Sequence, residues 1–312
     1  FTSFSKIILL ILFIIIGFIS VFYFKADSIS TRHLVLGDYK NEIISPSFWV
    51  SLIYVSYAYS GWNASSYIID DIKDPQKTVP RSILLGVASV IIIYTLLNFL
   101  FILSSTPADL IGKEDFVFNV ANNLFSVKGA IIVSSLIAFL LISSISALIM
   151  VGPRVIHTIS IDYPFFSFFV KSNKNGTPYR SIITQALIAI IILTTSSFDF
   201  IISSMGLILC FFTTLTSIAV IILRYKHPNL TRTIRVPLYP LPPIIYAVFN
   251  IWIMYYVATL KPTQALYCFI FLLIGVIIYY FANKKNKIAK LSTIIILFFA
   301  LTLFMGNFCT AQ

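Results

Sequence analysis

YAYSGWNASSYIIDDIKDPQKTVPRSI, residues 57–83, is the stretch on which the reading of this chain turns. It leaves an apolar run, meets a Ser60-Gly61 pair, and ends in a charged turn that holds Pro75 and Pro80. An apolar run interrupted at its middle by small and polar residues is the pattern of a discontinuous membrane helix. Such a break frees backbone N–H and C=O groups inside the bilayer, which is tolerated only where they face protein or a watery cavity. The freed groups can then hold a substrate near the midplane. Tyr57, Ala58 and Tyr59 precede the break, and Trp62 and Asn63 follow it. In this arrangement unwound carbonyls accept from an ammonium group while aromatic rings close over a side chain. The positive end of the following half-helix favours a carboxylate. The competing reading is a kink at a Gly/Ser pair with the aromatics in ordinary packing.

Composition points the same way. The chain is 59% hydrophobic and 11% charged, with a mean hydropathy of +0.96, against about 25% charged for a soluble domain. A water-soluble core has no use for that much apolar surface, so the chain is expected to be an all-α polytopic protein of the lipid bilayer. The net charge of +11 is not gathered on one soluble face, and nucleic acid is not expected as a partner. Cys210, Cys268 and Cys309 are far apart and lie in or beside apolar runs, and His33, His157 and His227 are equally scattered. None has metal-ligand spacing, so neither a metal nor a cofactor is expected, and the cysteines read as small membrane-compatible side chains.

Apolar runs of spanning length, roughly 17–25 residues, fall at about 7–24, 47–69, 82–104, 129–151, 199–223, 238–260, 264–282 and 291–308. A shorter run at about 181–196 is separated from its successor only by Ser196-Ser197-Phe198, so these two form a tight hairpin. The total is about 8–9 spans, and 291–308 is the least secure. Loops rich and poor in Lys and Arg alternate along the chain. The rich ones hold Lys73, Lys77 and Arg81; Arg154, Lys171, Lys174 and Arg180; Arg224, Lys226, Arg232 and Arg235; and Lys284, Lys285, Lys287 and Lys290. These loops should be cytoplasmic. Asp115–Val127 reads as an amphipathic helix on the outer surface. Pro164-Phe165-Phe166 and Phe168-Phe169 read as a second interfacial segment. No low-complexity linker divides the chain, so residues 1–312 are expected to form a single transmembrane domain. No signal-peptide pattern is present, and an opening on Phe1 that runs at once into a span is expected of a fragment or trimmed chain.

Asp70-Asp71-Ile72-Lys73-Asp74-Pro75, followed by Thr78-Val79-Pro80-Arg81, carries a family resemblance. The block resembles the sixth-to-seventh helix segment of the amino acid–polyamine–organocation transporters. Within that superfamily it is most similar to bacterial amino acid permeases related to the light chains of heteromeric amino acid transporters. Ser143-Ser144-Ile145-Ser146 through Gly152-Pro153-Arg154 resembles the family's eighth helix, although Ile161-Asp162-Tyr163-Pro164 lacks the glycine usual in the following turn. Gly176-Thr177-Pro178 and Arg235-Val236-Pro237-Leu238-Tyr239-Pro240 resemble the loops before the ninth and eleventh helices. The opening FTSFSKIILLILFIIIG resembles the fifth helix, with Lys6 where proton-coupled members place a lysine.

The resemblance implies the C-terminal part of a leucine-transporter-like fold of 5+5 inverted repeats. Residues 1–24 would be the fifth helix, 46–224 the second inverted repeat and 238–308 the trailing helices. It implies an amino acid substrate held at Tyr57, Ala58, Tyr59, Ser60, Gly61, Trp62 and Asn63, moved by alternating access across the inner (plasma) membrane. Asp70 and Asp71 would act in an inner gate, and the alternative for them is a solvated turn. Lys6, Ser143 and Ser144 would serve coupling, with the proton favoured over sodium, because desolvation makes a buried lysine easier to deprotonate. The alternative for Lys6 is a lysine snorkelling to cytoplasmic water, and for the two serines it is helix pairing. The family's first four helices, with the glycine-rich break of helix one, have no counterpart in this sequence, so the chain alone is not expected to transport unless a separate chain supplies them. Rival readings are an amino acid or polyamine exchanger, and a non-transporting remnant or membrane subunit. A membrane enzyme ranks below both, because no nucleophile–base set lies inside the spans.

Overall fold

A computed structural model of the chain describes residues 2–24, 39–62, 65, 69, 72–106, 115–174, 176–230, 232 and 236–282. Among these the regular structure is helical throughout. In chain order the helices are α1 (Thr2–Ile19), continued by a wide π turn at Ser20–Phe24, then α2 (Tyr39–Ile44), α3 (Pro46–Ala58), α4 (Pro75–Ser104) and α5 (Phe116–Asp162). After a 3₁₀ turn at Pro164–Val170 come α6 (Tyr179–Thr195), α7 (Phe198–Lys226), α8 (Leu241–Leu260) and α9 (Pro262–Ala282). Six of the described helices are long and apolar enough to cross a membrane, and α6, at 17 residues, is a shorter apolar helix. The expected span at 291–308 lies outside the described residues.

Helix boundaries follow local chemistry. Ser45 caps α3 by accepting from the Phe48 N–H at 3.3 Å, with Pro46 in the first turn. Ser197 caps α7 in the same way, and Asp199 in the first turn with Arg224 and Lys226 in the last complements the helix dipole. α4 begins earlier than the apolar run suggests. The Asp74 carbonyl accepts from the N–H groups of Lys77 and Thr78 at 3.1 and 3.0 Å, and Pro75 takes the first helical position. Pro80 is therefore inside the helix, where its missing N–H removes one backbone bond. The amphipathic segment expected at 115–127 and the span expected at 129–151 are two helices that meet at a kink within α5, where Ser126 takes φ 69, ψ 175. The second of them continues through Gly152-Pro153-Arg154 to Asp162.

The described chain forms two compact units. The first comprises residues 1–39 and 81–151. Its core joins Val21, Leu100, Leu103, Val120 and Leu124, with Phe13, Phe18, Phe101 and Phe125 packed against them. Beside the Ser126 break, the buried Ser20 hydroxyl donates to the Leu124 carbonyl at 2.8 Å, giving a backbone acceptor near an interrupted helix a partner.

The second unit comprises residues 40–80 and 152–312. Val50 and Ile53 of α3 pack with Leu207, Cys210 and Phe211 of α7, Ile253, Met254 and Val257 of α8, and Cys268 of α9. α3 and α7 approach closely at Gly206. A side chain there would begin 2.8 Å from Ile53 Cγ1 and 3.1 Å from the Ile53 carbonyl oxygen. Trp49 fills the neighbouring space, with ring centroids 5.8, 5.9 and 6.2 Å from those of Phe249, Trp252 and Tyr256 on α8. Hydroxyls along the apolar helices bond back to their own turns, as Thr214 does to the Cys210 carbonyl at 2.6 Å. The outward faces are large and apolar, Ile190, Ile191 and Leu193 of α6 among them.

Candidate substrate site

α3 is only 13 residues long because its backbone turns out of the helix at the Ser60-Gly61 pair. The last regular bond runs from the Tyr59 N–H to the Val55 carbonyl at 3.0 Å. Tyr59 takes φ −87, ψ 5, the Ser60 N–H bonds the Tyr57 carbonyl at 3.0 Å, and Gly61 takes φ 99. That dihedral is in the region where a Cβ is penalised, so glycine suits the position. No atom lies within 4 Å of the point where a Gly61 side chain would start, so the backbone there borders open space. Tyr57 and Trp62 are 37% and 41% exposed on either side of the break, and Ala58 is exposed beside them. The Ser65 hydroxyl donates to the Trp62 carbonyl at 3.2 Å. A helix end, a glycine at positive φ and flanking aromatic rings thus meet in one exposed stretch of backbone. Asn63, Asp70 and Asp71 lie outside the described residues.

Lys6 is in the first unit, half-buried near the start of α1. Its Nζ donates to Ser144 Oγ of α5 at 2.8 Å, across 138 residues of sequence. Lys6 and Ser144, two members of the coupling set expected from the sequence, are thus brought together, and Ser143 precedes Ser144 on the same helix. The break residues belong to the second unit.

The second unit also holds a polar cluster that the sequence reading passed over. Lys261, at the junction of α8 and α9, donates to both carboxylate oxygens of Asp199 at 2.9 and 2.8 Å and to the Tyr54 hydroxyl oxygen at 2.6 Å. The Tyr54 hydroxyl in turn donates to Asp199. Burial pushes the Lys261 ammonium down. The hydrogen bonds to Asp199 and Tyr54 and the charges beside it outweigh burial, so its pKa is raised above the ordinary lysine value. A signal did exist. Asp199 is a carboxylate at the very start of a long apolar run, where a charge calls for a partner.

The model of the family described as amino acid permease matches residues 1–266. The b(0,+)-type amino acid transporter 1 of Rattus norvegicus is 23% identical over 236 residues, which are 75% of this chain and 48% of that protein. The large neutral amino acids transporter small subunit 2 of Mus musculus is 25% identical over 226 residues, 72% of this chain and 42% of that protein. The methylthioribose transporter of Bacillus subtilis (strain 168) is 28% identical over 291 residues, 91% of this chain and 58% of that protein. The chain thus spans about half the length of the curated relatives it matches. These relatives are transporters rather than enzymes. Six membrane-length helices, a half-helix ending at a positive-φ glycine and a family match over residues 1–266 agree, and this multi-pass membrane protein belongs to the amino acid permease family.

Proposed function

We propose that the whole protein containing these helices is a secondary transporter of zwitterionic amino acids, working by alternating access and coupled to protons, in the inner (plasma) membrane. The observation that carries the reading is the end of α3, where Gly61 at φ 99 borders open space among Tyr57, Tyr59 and Trp62. Backbone carbonyls at such a break can accept from an α-ammonium group, and the N-terminus of a following half-helix suits an α-carboxylate. The described residues at the break carry no ionised group, which favours a substrate whose own charges balance. Lys6 on Ser144 Oγ is the proposed coupling pair, with Ser143 beside it, and Asp70 and Asp71 are the proposed inner gate. Residues 1–24 then serve as the fifth helix, 46–224 as the second inverted repeat and 238–308 as trailing helices.

The match to a methylthioribose transporter supports a second reading, in which the same backbone acceptors receive the hydroxyls of a neutral thio-sugar. The test is uptake by the complete transporter in proteoliposomes, with neutral amino acids, dibasic amino acids and methylthioribose in competition. Uptake competed by neutral amino acids supports the first reading. Uptake competed only by methylthioribose supports the second, and dibasic-only uptake overturns both.

A further inference from the structure

The cluster of Tyr54, Asp199 and Lys261 lies outside the break but on the same half-helix. Tyr54 is five residues before Tyr59, roughly 8 Å of helical rise from the end of α3. The cluster joins three elements distant in sequence: the half-helix, the first turn of α7 and the α8–α9 junction, with separations of 62, 145 and 207 residues. The three side chains form a closed triangle. Lys261 donates to both partners, Asp199 only accepts, and the Tyr54 hydroxyl both accepts and donates. Charge-assisted bonds of this kind are directional and roughly twice as strong as neutral ones. Lys261 is 20% exposed, so water competes little for it, although Asp199 is 56% exposed.

Apart from a side-chain hydrogen bond between Ser56 and Cys210 of α7, the remaining hold on α3 is apolar. Val50, Ile53 and Trp49 press one face of the half-helix onto α7 and α8, while Ser51, Val55 and Ala58 on other faces are exposed. Apolar packing is non-directional, so alone it tolerates small rotations and slides of a short helix. A 13-residue helix held along one face has few means of fixing its register, and Tyr59–Gly61 at its end inherit any error.

We propose that Tyr54, Asp199 and Lys261 are positioning residues: a polar clasp that fixes the register of the half-helix α3 against α7 and α8, and so places the backbone of Tyr59, Ser60 and Gly61 for substrate binding. The clasp is closed when substrate binds. This deepens the transport reading above and rests on it for its kinetic test.

The complete transporter is reconstituted as wild type, Tyr54→Phe, Asp199→Asn, Lys261→Gln and the charge swap Asp199→Lys with Lys261→Asp. Each single variant should raise KM by about fivefold or more while kcat stays within about twofold, the signature of lost binding. The swap should return KM most of the way, a recovery that a generally damaged protein does not show. Unchanged KM in the single variants overturns the clasp as a positioning device. A raised kcat at constant KM also overturns it, because the cluster would then be a latch that has to open.

A second readout is independent of transport. A cysteine at Ser60, exposed at the break, is modified by a water-soluble thiosulfonate in each background. Its rate should change at least about threefold in Asp199→Asn, a shift on the scale of the coupling expected between residues of one network, and recover in the swap. Equal rates in all backgrounds overturn the proposal. If wild type takes up none of the substrates offered, the transport reading fails, and the Ser60 labelling decides the clasp by itself.

Discussion

Gly61 and Gly206 are both glycines for a physical reason, but the reasons differ. At Gly61 the reason is backbone conformation, since φ 99 is costly with a Cβ while the adjoining space is open. Gly61→Ile should therefore strain the break, bring a β-branched side chain into the open space and abolish substrate binding. Membrane insertion, driven by the flanking apolar residues, should survive, so uptake assayed beside surface expression checks the prediction. At Gly206 the reason is room. A Val side chain would overlap Ile53 within 2.8–3.1 Å, and Gly206→Val should cost about 1–3 kcal/mol through overpacking, read as a lowered Tm in detergent. For Lys6, its bond to Ser144 places the ammonium between two helices of the first unit. Lys6→Ala should flatten the pH dependence of uptake, and an unchanged pH profile would return it to the role of a membrane-end lysine. Lys261 makes the opposite prediction. Its pKa is raised in the folded protein, so its contribution is complete below the unfolded lysine value of about 10.4 and is lost only as pH rises through the folded value. The clasp should hold unchanged in thermal melts across neutral pH and weaken in strong alkali, where Lys261 loses its proton, and in strong acid, where the Asp199 carboxylate gains one.

At the scale of elements, the interrupted helices carry the proposed binding backbone and the strain. Ser126 combines φ 69 with ψ 175, a region essentially restricted to glycine that costs on the order of 1–3 kcal/mol. Ser126→Gly should raise the Tm, and a fall would mean that the serine side chain contributes more than its backbone costs. The turn at Pro164–Val170 is steadied from two sides. The Arg180 guanidinium lies 4.4 Å over the Phe168 ring and donates to its carbonyl at 3.0 Å, and His157 Nδ1 meets the Phe169 carbonyl at 3.1 Å. Phe165 and Phe168 remain exposed, the disposition expected of an interfacial segment. α3 is short for the opposite reason: its sequence ends the helix at Tyr59, and tertiary contacts then hold what is left.

For the whole molecule, orientation is the property that the loops predict. Cysteines placed at Lys77 and Lys174, in basic-rich loops, should be protected from an impermeant thiol reagent added to intact cells. A cysteine at Thr263, in the first turn of α9 beside Lys261 and at a basic-poor end of the helices, should label. The reverse pattern would overturn the orientation.

Hydropathy and turn chemistry, both local, were readable in the sequence. Lipid imposes the long apolar runs whatever their neighbours, and Ser60-Gly61 marks a positive-φ break from two adjacent residues. The same local evidence misplaced the start of α4, because Asp74 and Pro75 begin the helix before its apolar residues do. It divided α5 correctly, between 127 and 129, beside the kink at Ser126 where two helices meet. Tertiary structure alone decided that Lys6 meets Ser144 and that Lys261 meets Asp199 and Tyr54. Pairings across 62 to 207 residues depend on which helix faces pack together. Inside lipid, close packing of complementary helix surfaces chooses those faces by shape, so no spacing along the chain records which charge will find which partner.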